Sequence, residues 1–380
     1  MRHAFGERPD FTLGVEEELL LVDASTHALA HDSGRLVDAL GMDPALVRHD
    51  IYEAQIELSS SVCRDVATAI GELSDLRAAV IDAGGTPMGA GIHPAAGFGD
   101  VSIVRQPRYM DQQDYLGGVV DRTPDCALHV HVGMPDTDTA VRACNGLREH
   151  LPLLHALAAN SPFWHGADAK LASARFVLRR GFPRVEVPRA FRDFEDWEQS
   201  IQATLAAGGL PDYTYLWWDV RPHPKLGTVE VRVMDAQSSL ERIAGLAALV
   251  HGLAIHEALS PRRDWLDREP IEESIFRATS HGLAARLYSA GGLQSVPEAA
   301  RSAVELARPQ LRELSGEAPL DEIDRILTEG GGADLQRTAF QNGGMPAVLD
   351  RLVTETGSWE LGTNPPAAPR TARSNRLADP

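Results

Sequence analysis

Four separated stretches of the sequence alternate polar and apolar residues, as a β-strand with one polar face does. In the clearest of them, "TVEVRVMD" at 228–235, valine occupies every second position. Successive side chains of a strand point to opposite faces, so Glu230 and Arg232 must share the face opposite the valines. A chain that repeats this pattern is constrained to form a sheet with one apolar face and one polar face.

Two of the other stretches carry histidine or glutamate on the polar face. In "LHVHVGM", His129 and His131 share one face of the predicted strand. In "LGVEEELL", Glu16 and Glu18 share a face, whereas Glu17 points to the opposite side. Glu17 is therefore an internal control for the strand assignment.

The fourth stretch, "RHDIYEAQIELSS", is also predicted to be a strand. Its alternation places Glu53 and Glu57 on one face, with Gln55 between them. Any single stretch of this kind is more often an ordinary solvent-exposed strand. Glutamates from several strands that converge on one cavity would repel each other unless cations were bound there. Because carboxylates outnumber imidazoles, Mg²⁺ or Mn²⁺ is favoured over zinc.

Composition and motifs exclude several function classes. A net charge of −18 argues against nucleic acid and anionic membranes as partners. The chain has no Walker A loop, since its lysines are Lys170 and Lys225, and "GAGIHP" breaks the GxGxxG fingerprint of a Rossmann site. The spacing of its three cysteines suggests neither a disulfide framework nor a structural zinc site.

A cytoplasmic protein is expected from the remaining sequence features. The start, "MRHAFGERPDF", lacks an apolar signal region. The longest apolar stretch, 243–255, is too short to span a bilayer and is interpreted as a buried helix.

The chain is predicted to form one domain over residues 1–360, followed by a disordered tail at 361–380 that is rich in Pro, Ala and Arg. Three long helices are predicted: one capped by Asp65, one opened by Asp136 or Thr137, and one begun by a capping box of Ser238 and Glu241. Residues 161–220 are interpreted as long functional loops, and residues 270–359 as mostly helical.

Several motifs, in order along nearly the whole chain, resemble those of the glutamate–cysteine ligase type 2 family, also called the YbdK-type carboxylate–amine ligases, of the glutamine-synthetase-like superfamily. The matching segments are "GVEEEL", "QIELSS", "HVHVG", "NSPFWHG", "SARFVLRRGFP", "WWDVRPHPKLGTVEVRVMDAQ" and "LQRTAFQNGG".

The resemblance implies an α+β fold: a curved antiparallel β-sheet funnel with helices packed on its outer face, as in the glutamine synthetase/guanido kinase-like catalytic fold. It implies ATP, Mg²⁺ or Mn²⁺, glutamate and an amine as ligands. In this family ATP phosphorylates the γ-carboxylate of glutamate, and the amino group of cysteine attacks the acyl phosphate to give γ-glutamylcysteine. A homodimer or a higher homo-oligomer is compatible with the resemblance.

Carried over onto this sequence, the resemblance assigns roles to individual residues. The implied metal ligands are Glu16, Glu18, Glu53, Glu57, His129 and Glu230. His131 is expected to contact nucleotide phosphate, and Arg232 to steady the transferred phosphoryl group. Arg232 and the metal-binding Glu57 are the predicted catalytic residues. Arg175, Arg179 and Arg221 would suit ATP phosphates or substrate carboxylates, because a guanidinium group offers paired donors.

Departures from the family pattern leave the amine acceptor open. Ala169, Lys170 and Leu171 stand where relatives often have Thr-Gly-Tyr, and Ala127 stands where glycine is common. The hypotheses that compete with glutamate–cysteine ligation are ligation to another amine, a metal-dependent hydrolase, because His-x-His also begins amidohydrolase-type sites, and a binding protein without turnover.

Overall fold

The computed structural model describes residues 1–261, 264–314 and 316–358, and the predicted tail at 361–380 lies outside them. The strands in this part of the chain are β1 (Leu13–Leu21), β2 (Val47–Arg48), β3 (Gln55–Ser59), β4 (Pro87–Met88), β5 (Ala127–Gly133), β6 (Phe163–Trp164), β7 (Ala167–Asp168), β8 (Val220–His223), β9 (Thr228–Asp235), β10 (Arg286–Ser289) and β11 (Gly292–Ser295). The helices are α1 (Ser33–Leu40), α2 (Val66–Asp82), α3 (Pro107–Leu116), α4 (Thr137–Ala158), α5 (Ala174–Arg179), α6 (Phe194–Gly208), α7 (Leu240–Leu259), α8 (Arg268–His281), α9 (Val296–Arg312), α10 (Asp321–Glu329) and α11 (Gly332–Gly357).

The main sheet is antiparallel throughout, which confirms the predicted α+β class. Its strands follow the order β2-β3-β1-β5-β9-β8, with β4 paired to the end of β1. Valines and leucines on one face of β1, β5 and β9 pack against helices α2, α4 and α7 in the main core. The opposite face carries the polar side chains.

The fourth alternating stretch does not form the single strand that was predicted. β2 ends at Arg48 and β3 begins only at Gln55, where the Gln55 amide donates to the Tyr52 carbonyl, 3.1 Å away, in a turn. Alternation inside a turn does not set which way a side chain faces. Glu53 therefore lies before the strand on which Glu57 is located.

Helix starts follow the predicted capping chemistry, with one shift. Asp65 accepts from the Thr68 amide at the start of α2, and Asp136 accepts from the Thr139 amide at the start of α4. At α7 the cap is Ser239, which accepts from the Arg242 amide, so the predicted Ser238 is one residue too early. The predicted loops at 161–220 contain the two helices α5 and α6.

Helix α7 forms the centre of the core. It is the one helix among the described residues that is long and apolar enough to cross a membrane, but 83% of its apolar window is buried within the protein. The predicted buried helix at 243–255 lies inside α7, which agrees with this burial.

Glu17 lies on the helix-facing side of β1, as the alternation predicts. It is fully buried and forms a two-point ion pair with Arg77 of α2, at 2.9 and 2.6 Å. Arg77 also donates to the carbonyls of Gln237 and Ser238, at 3.0 and 2.6 Å. The pair therefore joins the sheet to α2 and to the segment that precedes α7.

Candidate active site

The strand register brings the polar residues of four strands onto one face. Glu16 on β1 lies opposite His129 on β5, and Glu18 lies opposite Glu57 on β3. His131 lies opposite Glu230 on β9. The polar face borders a cavity of about 960 Å³, whose lining includes Glu16, Glu18, Glu57, His129, His131, Arg179, Arg221, Glu230 and Arg232.

Glu16, Glu57 and His129 form a cluster with the geometry of a cation site. One ligand atom from each of the three lies within 4.8 Å of the other two. The Nδ1 atom of His129 is buried without a hydrogen-bond partner in the described part of the chain, and it lies 3.6 Å from a Glu16 oxygen. Two carboxylates and a buried imidazole nitrogen that makes no hydrogen bond are a suitable ligand set for Mn²⁺ or Mg²⁺.

Burial and neighbouring charges shift the pKa values in this cluster. Burial, together with the nearby Arg232, lowers the pKa of His129 to about 3, so its imidazole is neutral at pH 7. Burial raises the pKa of Glu57 well above its usual value, in spite of the adjacent Arg48. Burial alone would also raise the pKa of Glu16, but His131, His129 and Arg48 together hold it well below its usual value.

Glu18 belongs to the same face but not to the three-residue cluster. Its Oε1 is 3.7 Å from His129 Nε2, and its Oε2 accepts a hydrogen bond of 2.7 Å from the Ala127 amide. Burial, reinforced by Asp50, raises the pKa of Glu18 to about 8. A cation bound to the cluster would stabilise the ionised form of this carboxylate.

Glu230 forms ion pairs with two arginines. Its Oε2 accepts from Arg221 Nε at 2.6 Å, and its Oε1 forms a short contact with Arg232 Nη1. With both oxygens paired, Glu230 lies outside the Glu16–Glu57–His129 cluster, and its role as a metal ligand stays a prediction. Its carboxylate instead holds the Arg232 guanidinium at the edge of the cavity.

Arg179 lies on the Glu18 side of the cavity. Its guanidinium lies over the rings of Phe182 and Trp217, with centroid distances of 5.0 and 5.8 Å, and its Nη1 is 3.7 Å from Asp125 Oδ2. No hydrogen bond from Arg179 is found among the described residues, whereas Arg221 donates from Nε to Glu230 and from Nη1 to the carbonyls of Thr214 and Leu216. Arg179 therefore has donors available for a bound anion.

Two predicted site residues are not in the cavity wall. Glu53, predicted as a metal ligand, accepts a hydrogen bond of 2.7 Å from Ser102 Oγ instead. Arg175, predicted to bind cofactor, is 4% exposed and lies between Asp125 and Asp235, at 3.7 and 3.5 Å. A turn redirects Glu53, and ion pairs hold Arg175 in the interior, so neither side chain borders the cavity as predicted.

Sequence reasoning missed other charged residues of the cavity. Arg48 donates to Glu57 at 2.9 Å and lies 3.5 Å from Glu16, so it is the nearest cation to the cluster. Asp50, Asp125 and His223 also line the cavity. Arg48 ends β2 and Asp50 follows it, both ahead of the turn that precedes β3, and alternation counted through that turn could not identify them.

The altered segment at 169–171 is remote from the cavity. Ala169 and Leu171 pack beside a small apolar cluster, and the Lys170 side chain is 84% exposed. None of the three lines the cavity. Their departure from the family pattern therefore does not change the side chains that border the cavity.

Comparison with known proteins identifies the family. The model of glutamate-cysteine ligase family 2 matches residues 12–350. The chain is 37% identical over 368 residues to a Rubrobacter xylanophilus protein that is named after this family, covering 94% of this chain and 100% of that protein. It is 32% identical over 359 residues to the glutamate–cysteine ligase of Natronomonas pharaonis, covering 91% and 96%.

A solved structure agrees at the level of the fold. The glutamate–cysteine ligase of Francisella tularensis, crystallised with AMP, superposes with a TM-score of 0.66 at 14% sequence identity, covering 93% of this chain and 90% of that one. That structure is similar to this chain in architecture, which is the glutamine-synthetase-like ligase fold. The chain belongs to the glutamate–cysteine ligase family 2 and is an ATP-dependent ligase.

Proposed function

We propose that this ligase joins the γ-carboxylate of glutamate to the amino group of cysteine, through a γ-glutamyl phosphate intermediate. The observation that carries the proposal is the position of the Glu16–Glu57–His129 cluster in the same cavity as Arg232. Phosphoryl transfer to a carboxylate brings several negative charges together, and such a reaction depends on cations placed around them. The family match supports the same chemistry.

The residues that would hold the metal are Glu16, Glu57 and His129. A bound Mg²⁺ or Mn²⁺ would supply counter-charge to the phosphates of ATP. Glu18, whose Oε1 is 3.7 Å from His129 Nε2, is proposed as a further ligand on the other side of this imidazole. Glu53 is not proposed as a ligand, because its carboxylate binds Ser102.

Arg232 is proposed to stabilise the phosphoryl group during transfer. Glu230 holds its guanidinium from one side, and Arg221 occupies the other oxygen of the same carboxylate. The donor carboxylate attacks the γ-phosphorus and ADP leaves. The amine then attacks the acyl carbon, loses a proton and expels phosphate. His131, opposite Glu230, would contact a phosphate oxygen.

Arg179 and Asp125 are proposed to bind the α-carboxylate and α-ammonium groups of the donor amino acid. Arg179 retains free donors, and Asp125 and Asp50 supply negative charge on the same side of the cavity. Glu18 interacts electrostatically with both Arg179 and Asp125, and it also neighbours His129 of the cluster. A donor bound in this way would direct its side-chain carboxylate towards the cluster.

The test is an amine screen with ATP, glutamate and Mg²⁺. ADP release is measured, and each product is identified by mass. We expect cysteine to give the fastest turnover, and no ADP to form when glutamate, the amine or the metal is omitted. If another amine is preferred, the acceptor assignment is wrong but the chemistry stands. Amide hydrolysis without nucleotide would instead support the hydrolase alternative.

Metal binding is expected to be tighter at higher pH and to release protons. The pKa of about 8 means that Glu18 holds a proton near neutral pH in the metal-free protein, and burial shifts the pKa of Glu57 in the same direction. A cation favours their ionised forms, so affinity for Mn²⁺ should rise as the pH increases towards 8. Calorimetry in two buffers that differ in ionisation enthalpy measures the released protons. Equal apparent enthalpies in both buffers would contradict the prediction.

We further propose that the protein acts in the cytoplasm. Helix α7, which is apolar enough to span a membrane, packs mostly within the core. Cell fractionation tests the location, and light scattering of the purified protein tests whether a homodimer or a higher homo-oligomer forms.

A further inference from the structure

Three motifs of the chain meet at one buried carboxylate outside the cavity, and a fourth motif joins the same hydrogen-bond network. Asp235, at the end of β9, is fully buried and accepts hydrogen bonds from the Asn160 amide at 2.9 Å and from Ser161 Oγ at 2.7 Å. Its other oxygen accepts from Ser173 Oγ at 2.9 Å and lies 3.5 Å from Arg175 Nη1. The motifs "NSPFWHG", "SARFVLRRGFP" and "VRVMDAQ" therefore converge on this group.

The fourth motif, "LQRTAFQNGG", reaches the network from the opposite side. Gln336 of α11 donates to the backbone and side-chain oxygens of Asn160, at 2.9 and 2.8 Å. Asn160 in turn donates to the carbonyls of Gly89 and Ala236. These hydrogen bonds attach α11 to Asn160 and, through it, to the segments that contain Gly89 and Ala236. None of them contacts α5.

The half that contains Ser173 and Arg175 fixes helix α5. Ser173 is the N-cap of α5 and accepts from the Phe176 amide while it donates to Asp235. Arg175 connects Asp235 to Asp125, which lies between Arg175 and Arg179 at 3.7 Å from each guanidinium. Arg179 is the last residue of α5, and it lines the cavity.

We propose that Asp235 is a positioning residue, which sets the direction of Arg179 in the cavity through Ser173 and Arg175. Loss of its charge would free Arg175 to pair more closely with Asp125. Asp125 would then be drawn from Arg179, and α5 would lose one anchor of its first turn, which the bonds from the Ala174 and Arg175 amides to Ser161 only partly replace. The identity of the affected substrate, the donor amino acid, rests on the proposed function. The connection from Asp235 to Arg179 does not depend on that function.

The test is Asp235→Asn, which keeps the side-chain shape and removes the charge. We expect the KM for glutamate to rise about tenfold, with kcat and the KM for ATP changed by less than about threefold, since a hydrogen bond to a charged group is lost away from the phosphoryl transfer. Gln336→Met is the matched control, because it removes hydrogen bonds from the other half of the network. It should lower thermal stability and leave the KM for glutamate unchanged.

A double-mutant cycle separates positioning from a general loss of structure. In an Arg179→Ala background, Asp235→Asn should add less than about twofold to the KM for glutamate, because its effect passes through Arg179. A full additional increase would overturn the proposal, as would an unchanged KM in the single variant. If Asp235→Asn does not fold, Ser173→Ala carries the same test with a smaller expected increase.

Hydrogen exchange gives a readout that does not depend on the reaction. In Asp235→Asn the amides of 174–179 should exchange faster, while those of α6 should not change. Unchanged exchange in α5 would refute the positioning role even if ligation is confirmed. Faster exchange in a protein that shows no turnover with glutamate would refute the proposed substrate and leave the positioning role supported.

Discussion

Replacing Glu16 with glutamine is expected to reduce turnover by more than about 100-fold. Loss of a residue that only hydrogen-bonds to a metal ligand already costs up to about 100-fold, and Glu16 is itself a proposed ligand. The amide keeps the shape of the side chain but removes the negative charge that the cation cluster requires. Because His131, His129 and Arg48 hold the pKa of Glu16 below its usual value, its charge also stabilises the fold, so the free energy of unfolding without metal should fall, but the protein should stay folded. Steady-state ADP release and chemical denaturation measure the two quantities.

Excess metal distinguishes a ligand from a residue with another role. If Glu16 ligates the cation, raising the Mn²⁺ concentration should recover part of the lost turnover, and titration of the variant should show weaker Mn²⁺ binding. Normal Mn²⁺ affinity combined with normal turnover in Glu16→Gln would remove the cluster from the mechanism. The neighbouring Glu17 provides the control for this experiment.

Replacing Glu17 with glutamine is expected to lower the free energy of unfolding by about 3–5 kcal/mol, the usual cost of breaking a buried ion pair on one side. Arg77 would remain buried without its counter-charge, although its bonds to the carbonyls of Gln237 and Ser238 persist. Turnover per folded molecule should be nearly unchanged, because Glu17 faces away from the cavity. Urea denaturation measures the loss, and ADP release at low temperature measures the activity.

A second substitution checks the physical cause of that loss. Adding Arg77→Met to Glu17→Gln removes the unpaired charge and should recover part of the stability. If the double variant is less stable than the single one by the full cost of Arg77→Met alone, the two residues do not interact as described. Substitution of Glu16 would thus mainly reduce turnover, whereas the same substitution of the adjacent Glu17 would mainly reduce stability.

The sequence was sufficient to predict the strands whose alternation is uninterrupted. Val229, Val231 and Val233 on β9 fix which face Glu230 and Arg232 occupy, because a strand that placed the valines outward would lose its core contacts. The same argument holds for β1 and β5. It extends to the site, since Glu16 and His129 are brought together by the pairing of these two strands.

Alternation fails where the backbone leaves the strand, and it cannot identify partners. Glu53 falls in a turn, so its spacing from Glu57 has no structural meaning. Arg175 was predicted to face a ligand, but Asp235 lies 60 residues further along the chain and only the tertiary fold brings them together. Arg48 reaches Glu57 by cross-strand pairing of β2 with β3, which the sequence pattern did not reveal.

The back-to-back arrangement of Glu16 and Glu17 has a consequence for how this lineage can vary. A single residue inserted into or deleted from β1 would turn every following side chain to the opposite face of the sheet. The positions that face the cavity and the positions that face α2 would then be exchanged. Both activity and folding would fail at once. Length differences among natural homologues should therefore be absent from Leu13–Leu19 and collect in exposed segments such as 97–100.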